Sequence, residues 1–330
     1  MKNIFITGAS GFIGSNLARR LVKDGHHVHL LLRPNYQVWR IKDIQQRVEI
    51  HIGDLQNREF VKQTLNRIKP RWVFHLAAYG AYSQQNDYVQ AVATNILGAH
   101  HLIESCQENG AEAFINVGSS SEYGFKDHAP TETEMLEPNS YYALTKAYTS
   151  MFCRYAADKS PTNFITLRPY SVYGPFEEPT RLIPTMIVNA MQGQWPKLVS
   201  PDIARDFIYV DDFVKVCLLA AQSADQYNGV VYNVGTEKQT TLKEMVEVVQ
   251  AEFDIKEKPV WGSMVNRSWD TNVWVSDSRR IKKDLGWEYQ YDLRDGLIKM
   301  LEWLRDDPIL LDYYREKIFK INGLAIANQK

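Results

Sequence analysis

The stretch from Asn3 to Lys23 constrains the fold more than any other. Ile4, Phe5 and Ile6 make a short apolar run that reads as a buried strand. Gly8, Gly11 and Gly14 follow at three-residue spacing, and Ser15 to Lys23 then sets Leu17, Leu21 and Val22 on one side of a helix. Strand, glycine turn and helix in that order predict a dinucleotide pyrophosphate site. The glycines let the backbone come close to phosphates where a Cβ would clash. The helix start offers unpaired N–H groups at the positive end of its dipole. Gly8, Ser10, Gly11, Phe12, Ile13 and Gly14 are the first candidate cofactor contacts.

The alternation then continues. Strands are expected at His27 to Leu32, Val48 to Ile52, Trp72 to Leu76, Ala113 to Val117 and Phe164 to Leu167. Helices are expected at Phe60 to Ile68, Val89 to Gln107 and Tyr142 to Asp158. This βαβ rhythm predicts an α/β fold with a doubly wound parallel sheet. Ligands of such sheets sit beyond the carboxyl ends of the strands. Attention therefore falls on Arg33, Asp54-Leu55, Leu76-Ala77-Ala78, Gly118 to Glu122 and Arg168-Pro169-Tyr170. After Pro175 the rhythm breaks. Asp206 to Ala221 reads as a short strand and helix returning to the sheet, and Val230 to Val234 as a further strand. Helices are expected at Leu242 to Glu252, Asp277 to Leu285 and Leu293 to Leu304, with a weakly patterned tail from Asp306.

With 38 basic and 39 acidic residues, the charge balance gives no support for nucleic acid or an anionic membrane surface as a partner. Cys106, Cys153 and Cys217 lie too far apart in sequence for a disulfide framework or a metal knuckle, which points to a cytoplasmic setting. His26, His27 and His29 do not suggest a metal site, and no metal is expected. No apolar run is long enough to span a bilayer. Trp261, Trp269 and Trp274 suit either a sugar or base pocket or ordinary core packing.

The second strand ends Leu31-Leu32-Arg33-Pro34, without the acidic residue that commonly binds the adenosine ribose. Arg33, helped by Arg40, would instead neutralise a 2′-phosphate, favouring NADP(H) while leaving NAD(H) open. Asp54 reads either as a partner for the adenine amino group or as a turn residue. Tyr-x-x-x-Lys occurs three times, at Tyr142/Lys146, Tyr155/Lys159 and Tyr313/Lys317. Spacing of four puts both side chains on one helical face. Only Tyr142 stands at a helix start and follows a strand tip rich in serine, Ser119-Ser120-Ser121-Glu122. Hydride transfer at a sugar carbon needs a matching proton transfer at its oxygen. A tyrosine of pKa about 10 can do this only if a nearby ammonium and a cationic nicotinamide lower that value. Tyr142, Lys146 and Ser120 supply the parts.

At these residues the chain resembles the extended short-chain dehydrogenase/reductase family, in its nucleotide-sugar epimerase, dehydratase and reductase branch. The resemblance covers about residues 2 to 305. It rests on Thr7 to Gly14, His75-Leu76-Ala77-Ala78, Ser119 to Gly124, Tyr142 to Lys146, Leu167-Arg168-Pro169, Val172 to Pro175, Arg205 to Asp212 and Asp277 to Trp287. It implies a Rossmann domain over 1–173 with a return segment at 206–234. A smaller mixed α/β domain over 174–330 would hold the nucleotide-sugar. Tyr142 would be the acid/base, and Lys146 would hold the nicotinamide ribose. Ser120 would match the catalytic serine or threonine, with Ser119 and Ser121 as alternative matches. Leu76, Ala77, Ala78, Asn95 and Pro169 would lie against the cofactor, with Ser121, Arg205 and Arg279 on the substrate. Arg205 otherwise reads as a structural partner of Asp206 or Asp211. Dimerisation through a four-helix bundle is implied as well.

The branch shares hydride exchange at sugar C4. Glu122 running straight into Tyr123-Gly124 reads as a motif one residue shorter than in sugar dehydratases, similar to reductases of 4-keto-6-deoxy sugars. A C4 reductase or epimerase/reductase is the expected activity. The alternatives are a 4,6-dehydratase with Glu122 as the C5 base and a redox-neutral 4-epimerase. An NADP-sensing module without catalysis is a more remote one.

Overall fold

The protein is described by a computed structural model over residues 1–82, 84–266 and 270–327. The first half alternates strand and helix: β1 (Asn3–Thr7), α1 (Phe12–Lys23), β2 (His27–Leu32), β3 (Glu49–Ile52), α2 (Arg58–Ile68) and β4 (Trp72–His75). A long helical stretch follows, made of α3 (Tyr88–Ala91), a π-helical Val92–Gly98 and α4 (Ala99–Asn109). Then come β5 (Ala113–Val117), α5 (Tyr141–Ala157), β6 (Phe164–Pro169) and β7 (Ser171–Tyr173). The second half holds α6 (Leu182–Ala190), β8 (Ala204–Arg205), β9 (Phe207–Tyr209), α7 (Val210–Gln222), β10 (Val230–Val234) and β11 (Thr240–Thr241). It closes with α8 (Leu242–Phe253), α9 (Arg279–Leu285), α10 (Leu293–Asp306) and α11 (Pro308–Ala327).

Among the described residues, seven parallel strands form the central sheet in the order β3-β2-β1-β4-β5-β6-β10. A parallel sheet needs strands apolar on both faces, and β4 and β5 are buried along their whole length. One face packs Ile4, Ile6 and Leu30 against Leu17 and Leu21 of α1 and Phe213 of α7. The other packs Phe5, Val73, Phe114 and Phe164 against Leu65 of α2, Leu102 of α4 and Cys153 of α5. The order reverses between β1 and β4, and the glycine turn leaves the sheet at that point. The segment after Asp206 divides its roles. β9 pairs with β7 outside the main sheet, while β10 enters the main sheet beside β6.

A second core gathers Tyr173, Met186, Met245, Val249, Leu297, Met300 and Tyr314. The weakly patterned tail is where the structure departs most from expectation, because it forms α11. Pro308 suits a first helical turn, and the Asp307 side chain accepts from the Leu310 N–H at 3.0 Å. Leu311, Tyr314 and Ile318 supply a narrow apolar stripe against the second core. That stripe is thin enough to be lost among polar neighbours. The three cysteines are free and buried. Among the described residues, no helix is long and apolar enough to cross a membrane.

Candidate active site

The glycine turn is shaped by close approaches. Gly8 has φ +71°, and a Cβ there would lie 2.6 Å from the Ala77 nitrogen. A Cβ on Gly14 would lie 2.3 Å from the Gly8 carbonyl oxygen, so α1 can start only where a hydrogen replaces it. Gly11 caps α1 without a side-chain bond, so the open first turn is available to an anion. The Thr7 hydroxyl bridges His75 Nδ1 at 2.8 Å and the Ala77 N–H at 3.3 Å. That bridge holds Leu76-Ala77-Ala78 beside the turn. Burial lowers the His75 imidazole to about 3, so it works as a neutral hydrogen-bonding group. These residues fit a dinucleotide.

The loop after β4 is tied down by Asn95, on the π-helical stretch. Its Oδ1 accepts from the Tyr79 N–H at 2.7 Å, and its Nδ2 donates to the Tyr79 carbonyl and to Thr145 Oγ1, each at 2.8 Å. Its backbone carbonyl accepts from Thr149 Oγ1 at 2.9 Å. The side chain expected near the cofactor thus spends its amide joining the loop to α5. Gly80 in that loop runs under Tyr142, where a Cβ would stand 3.3 Å from the tyrosine Cβ.

Ser140 starts α5 by accepting from the Ala143 N–H at 3.2 Å. Tyr142 and Lys146 therefore leave the first two turns of the helix beside the carboxyl ends of β4 and β5. Lys146 is buried, and its Nζ donates to the Val117 carbonyl. Burial pulls the ammonium down to about 8, with the Glu122 carboxylate pulling the other way. Burial pushes the Tyr142 phenol up to about 12, partly offset by the neighbouring Ser119 hydroxyl. Arg181 lowers that value further and Tyr82 raises it, so both lie within electrostatic reach of the phenol. The guanidinium carbon of Arg181 stands 5.8 Å from the Tyr82 ring centre. The other two Tyr-x-x-x-Lys matches merely lay a lysine over its tyrosine ring, at 4.9 Å for Lys159 and 5.5 Å for Lys317.

Ser119, rather than Ser120, is the serine whose hydroxyl acts on the Tyr142 phenol, lowering its pKa, and that hydroxyl lies 2.7 Å from that of Ser121. Ser120 is buried on the side of Tyr123, Tyr170 and Trp274. With Ser119 as the match, Ser120 and Ser121 follow it and Glu122 becomes the extra residue before Tyr123-Gly124, so the motif is not shortened. Nor is Glu122 placed to act as an acid or base. It is fully buried, and its Oε1 accepts from the Ser119 N–H at 2.8 Å and from Ser150 at 2.9 Å. Its Oε2 accepts from Arg168 Nε at 2.8 Å. Arg168 also reaches the Tyr123 hydroxyl at 2.8 Å, and that hydroxyl donates to Asn233 at 2.7 Å. Glu122 is the anchor of the serine turn, which it closes as a capping box.

Arg33 is exposed just past β2. Arg40 cannot assist it. Its Nε donates to the Phe176 carbonyl at 2.7 Å and its Nη2 pairs with Glu178 at 2.9 Å. Asp54 accepts from the Gln56 N–H at 2.9 Å, making a turn, and Leu55 is buried under Gly98. Pro169 is buried at the end of β6, paired with Val234.

Of the residues expected to hold the substrate, Arg205 pairs with Asp270 at 3.1 Å rather than with Asp206 or Asp211. Asp206 is instead held by Thr236 and Ser276. Trp274 stands edge-on to Tyr170, with Arg205 5.6 Å from its centre, whereas Trp261 packs against the second core. Trp269 lies outside the described residues. Arg279 is largely exposed and grips Asp277. Tyr82 and Arg181 were not among the expected site residues, because neither belongs to a motif and only the fold brings them within electrostatic reach of Tyr142.

A model of the NAD dependent epimerase/dehydratase family matches residues 4–235. The chain is 27% identical over 321 residues to a trifunctional UDP-glucose 4,6-dehydratase/UDP-4-keto-6-deoxy-D-glucose 3,5-epimerase/UDP-4-keto-L-rhamnose-reductase of Arabidopsis thaliana, covering 93% of this chain. It spans about half (47%) of that relative's length. The crystal structure of a Thermotoga maritima UDP-glucose 4-epimerase with UDP-glucose superposes with a TM-score of 0.83 at 26% identity, covering 92% of this chain and 99% of that one. The structure of MoeE5 in complex with UDP-glucose and NAD superposes with a TM-score of 0.80 at 27% identity, covering 92% and 99%.

Proposed function

The chain belongs to the NAD dependent epimerase/dehydratase family, and from that premise we propose that it exchanges hydride at C4 of a nucleotide-diphosphate sugar, as a 4-epimerase or 4-keto-sugar reductase and not as a 4,6-dehydratase. One observation carries the reading. The phenol of Tyr142 lies within reach of the Ser119 hydroxyl's influence, Lys146 lies one turn behind it on α5, and the strand tip 119–121 offers hydroxyls only. Removing water across C5 and C6 needs a further acid and base, and the one carboxylate of that tip, Glu122, is locked in the interior.

The bound nicotinamide supplies or accepts the hydride. Tyr142 gives the C4 oxygen its proton during reduction and takes it during oxidation. Ser119 hydrogen-bonds the same oxygen and steadies the phenolate. Lys146 holds the nicotinamide ribose and, when protonated, favours the phenolate. Such acid–base participation is worth about 10²–10⁴-fold in rate. The half of the chain beyond residue 173, apart from the returning 206–234, holds the nucleotide, with Arg205 exchanging Asp270 for the diphosphate.

A reductase consuming NADPH is the second reading, favoured by Arg33 at the tip of β2, where an acidic residue would repel a 2′-phosphate. Two copies pair through the π-helical stretch before α4 and through α5, whose outer faces expose Leu97, Leu144, Met151 and Tyr155.

The test is to purify the full chain, identify the cofactor released on denaturation, and offer UDP- and dTDP-hexoses and their 4-keto-6-deoxy forms. Retained NAD with C4-epimeric product supports the epimerase, and NADPH consumption by the keto sugars supports the reductase. Formation of 4-keto-6-deoxy sugar from a plain hexose overturns the proposal. Tyr142→Phe should abolish turnover in either case, and an unaffected biological activity in that variant would favour a sensing module instead.

A further inference from the structure

We propose that His29, Glu49 and His51 form a binding site for a divalent cation of the zinc class, on the edge of the sheet away from Tyr142. No sequence spacing announces it, since the ligands come from two strands. The parallel register sets His29 opposite Glu49 and Leu31 opposite His51, so both imidazoles emerge on one face of β2 and β3. His29 Nδ1 lies 3.1 Å from His51 Nε2 and 3.4 Å from one Glu49 oxygen, and His51 Nε2 lies 3.6 Å from the other. All the ligand atoms fall within 4.8 Å of one another.

A tetrahedral ion with bonds of about 2.0–2.1 Å requires ligand atoms separated by roughly 3.3–3.4 Å. The three donors already stand at nearly those separations. The rings stack with centres 5.3 Å apart, which fixes the two nitrogens relative to each other. Burial disfavours protonation of both rings, leaving them as the neutral imidazoles a metal takes. Glu49 is 63% exposed, so its carboxylate can adjust, and a solvent molecule can complete the set.

Arg67, at the end of α2, shapes how the site would load. Its Nη2 lies 3.0 Å from His51 Nδ1. A guanidinium can only donate there, so the His51 proton sits on Nε2, the atom the ion needs. Loading therefore moves that proton to Nδ1 and turns Arg67 out to solvent, where its exposed position lets it go. Arg67 acts against the cation both as a competing donor and as a charge. The site would tie the outermost strand, β3, to its neighbour and play no part in hydride transfer.

The test uses the full chain, stripped with chelator and titrated with zinc by calorimetry and with cobalt by visible absorption. The expected result is one ion per chain, with tetrahedral cobalt bands and a melting temperature that rises with zinc concentration. Glu49→Gln, exposed enough not to disturb folding, should weaken binding about tenfold or more. His51→Gln should abolish it, and Arg67→Gln should tighten it. His128→Ala, which removes the exposed histidine beside Asp127 and Glu134, should change nothing. Absence of uptake overturns the proposal. So does binding that survives in Glu49→Gln and His51→Gln alike, or binding that weakens in Arg67→Gln.

Discussion

At the scale of single residues, the serine turn separates three neighbouring side chains that share a motif but not a role. Ser119 acts on the Tyr142 phenol, Ser120 faces the interior near Tyr123, and Glu122 binds Arg168 from behind. Ser119→Ala should therefore lower kcat by about 10²-fold, in the range of one lost acid–base partner. Ser120→Ala should leave kcat within a few-fold, so steady-state kinetics of the pair would check the assignment. Glu122→Gln probes a different quantity. It leaves the Arg168 charge buried without its counter-ion, which costs about 3–5 kcal/mol. Urea unfolding should register that loss, whereas turnover per folded molecule should change little. A large fall in turnover with stability intact would restore Glu122 as a chemical group.

At the scale of elements, the turn between β7 and α6 is held from three sides. The Tyr314 hydroxyl of α11 donates to the Glu177 carbonyl at 2.5 Å. Arg40 reaches Phe176 and Glu178 in the same turn, and the Arg19 guanidinium stacks 3.6 Å over the Phe176 ring. Glu177 carries an Oε2 with no hydrogen-bond partner among the described residues. Burial raises its carboxyl from 4.5 to about 8, so the folded protein holds a proton there that the unfolded chain releases. The sign follows. This group's contribution is fully present below about 4.5 and is lost as pH rises through about 8. Glu177→Gln carries a permanently neutral side chain of similar shape. It should nearly match the wild type in stability near pH 4.5 and exceed it by roughly 4 kcal/mol at pH 8.5. Urea midpoints across that range would show the two curves parting.

At the scale of the whole molecule, one face remains unaccounted for within a single chain. On α5, Tyr148, Phe152 and Tyr155 stack in a row, with His100 of α4 against Phe152 at 4.8 Å. Met151 and Tyr155 are each more than half exposed beside them. Burying such a face against its copy would remove apolar area from water at about 25 cal/mol per Å². Met151→Glu with Tyr155→Glu should convert a dimer to monomers in sedimentation. The double variant should keep its fold, because neither side chain enters the chain's own core. A wild type that already sediments as a monomer would remove the pairing.

The parts legible in the sequence are those set by neighbours along the chain. Alternating apolar runs and helical spacing specify the strands and helices of the sheet. The three glycines specify the turn, because backbone proximity forbids a Cβ there. Four-residue spacing at a helix start puts Tyr142 and Lys146 on one face. The second half was less legible, since α11 is held by a thin stripe whose partner surface lies in other elements. Which serine acts on Tyr142, where the Glu122 carboxylate points, and why Arg40 is spent on Phe176 depend on rotation and register between distant segments. So does the meeting of His29 with His51. A single chain states which side chains share a face of an element. Only packing decides what that face is pressed against, because that choice is made by burying the whole core at once.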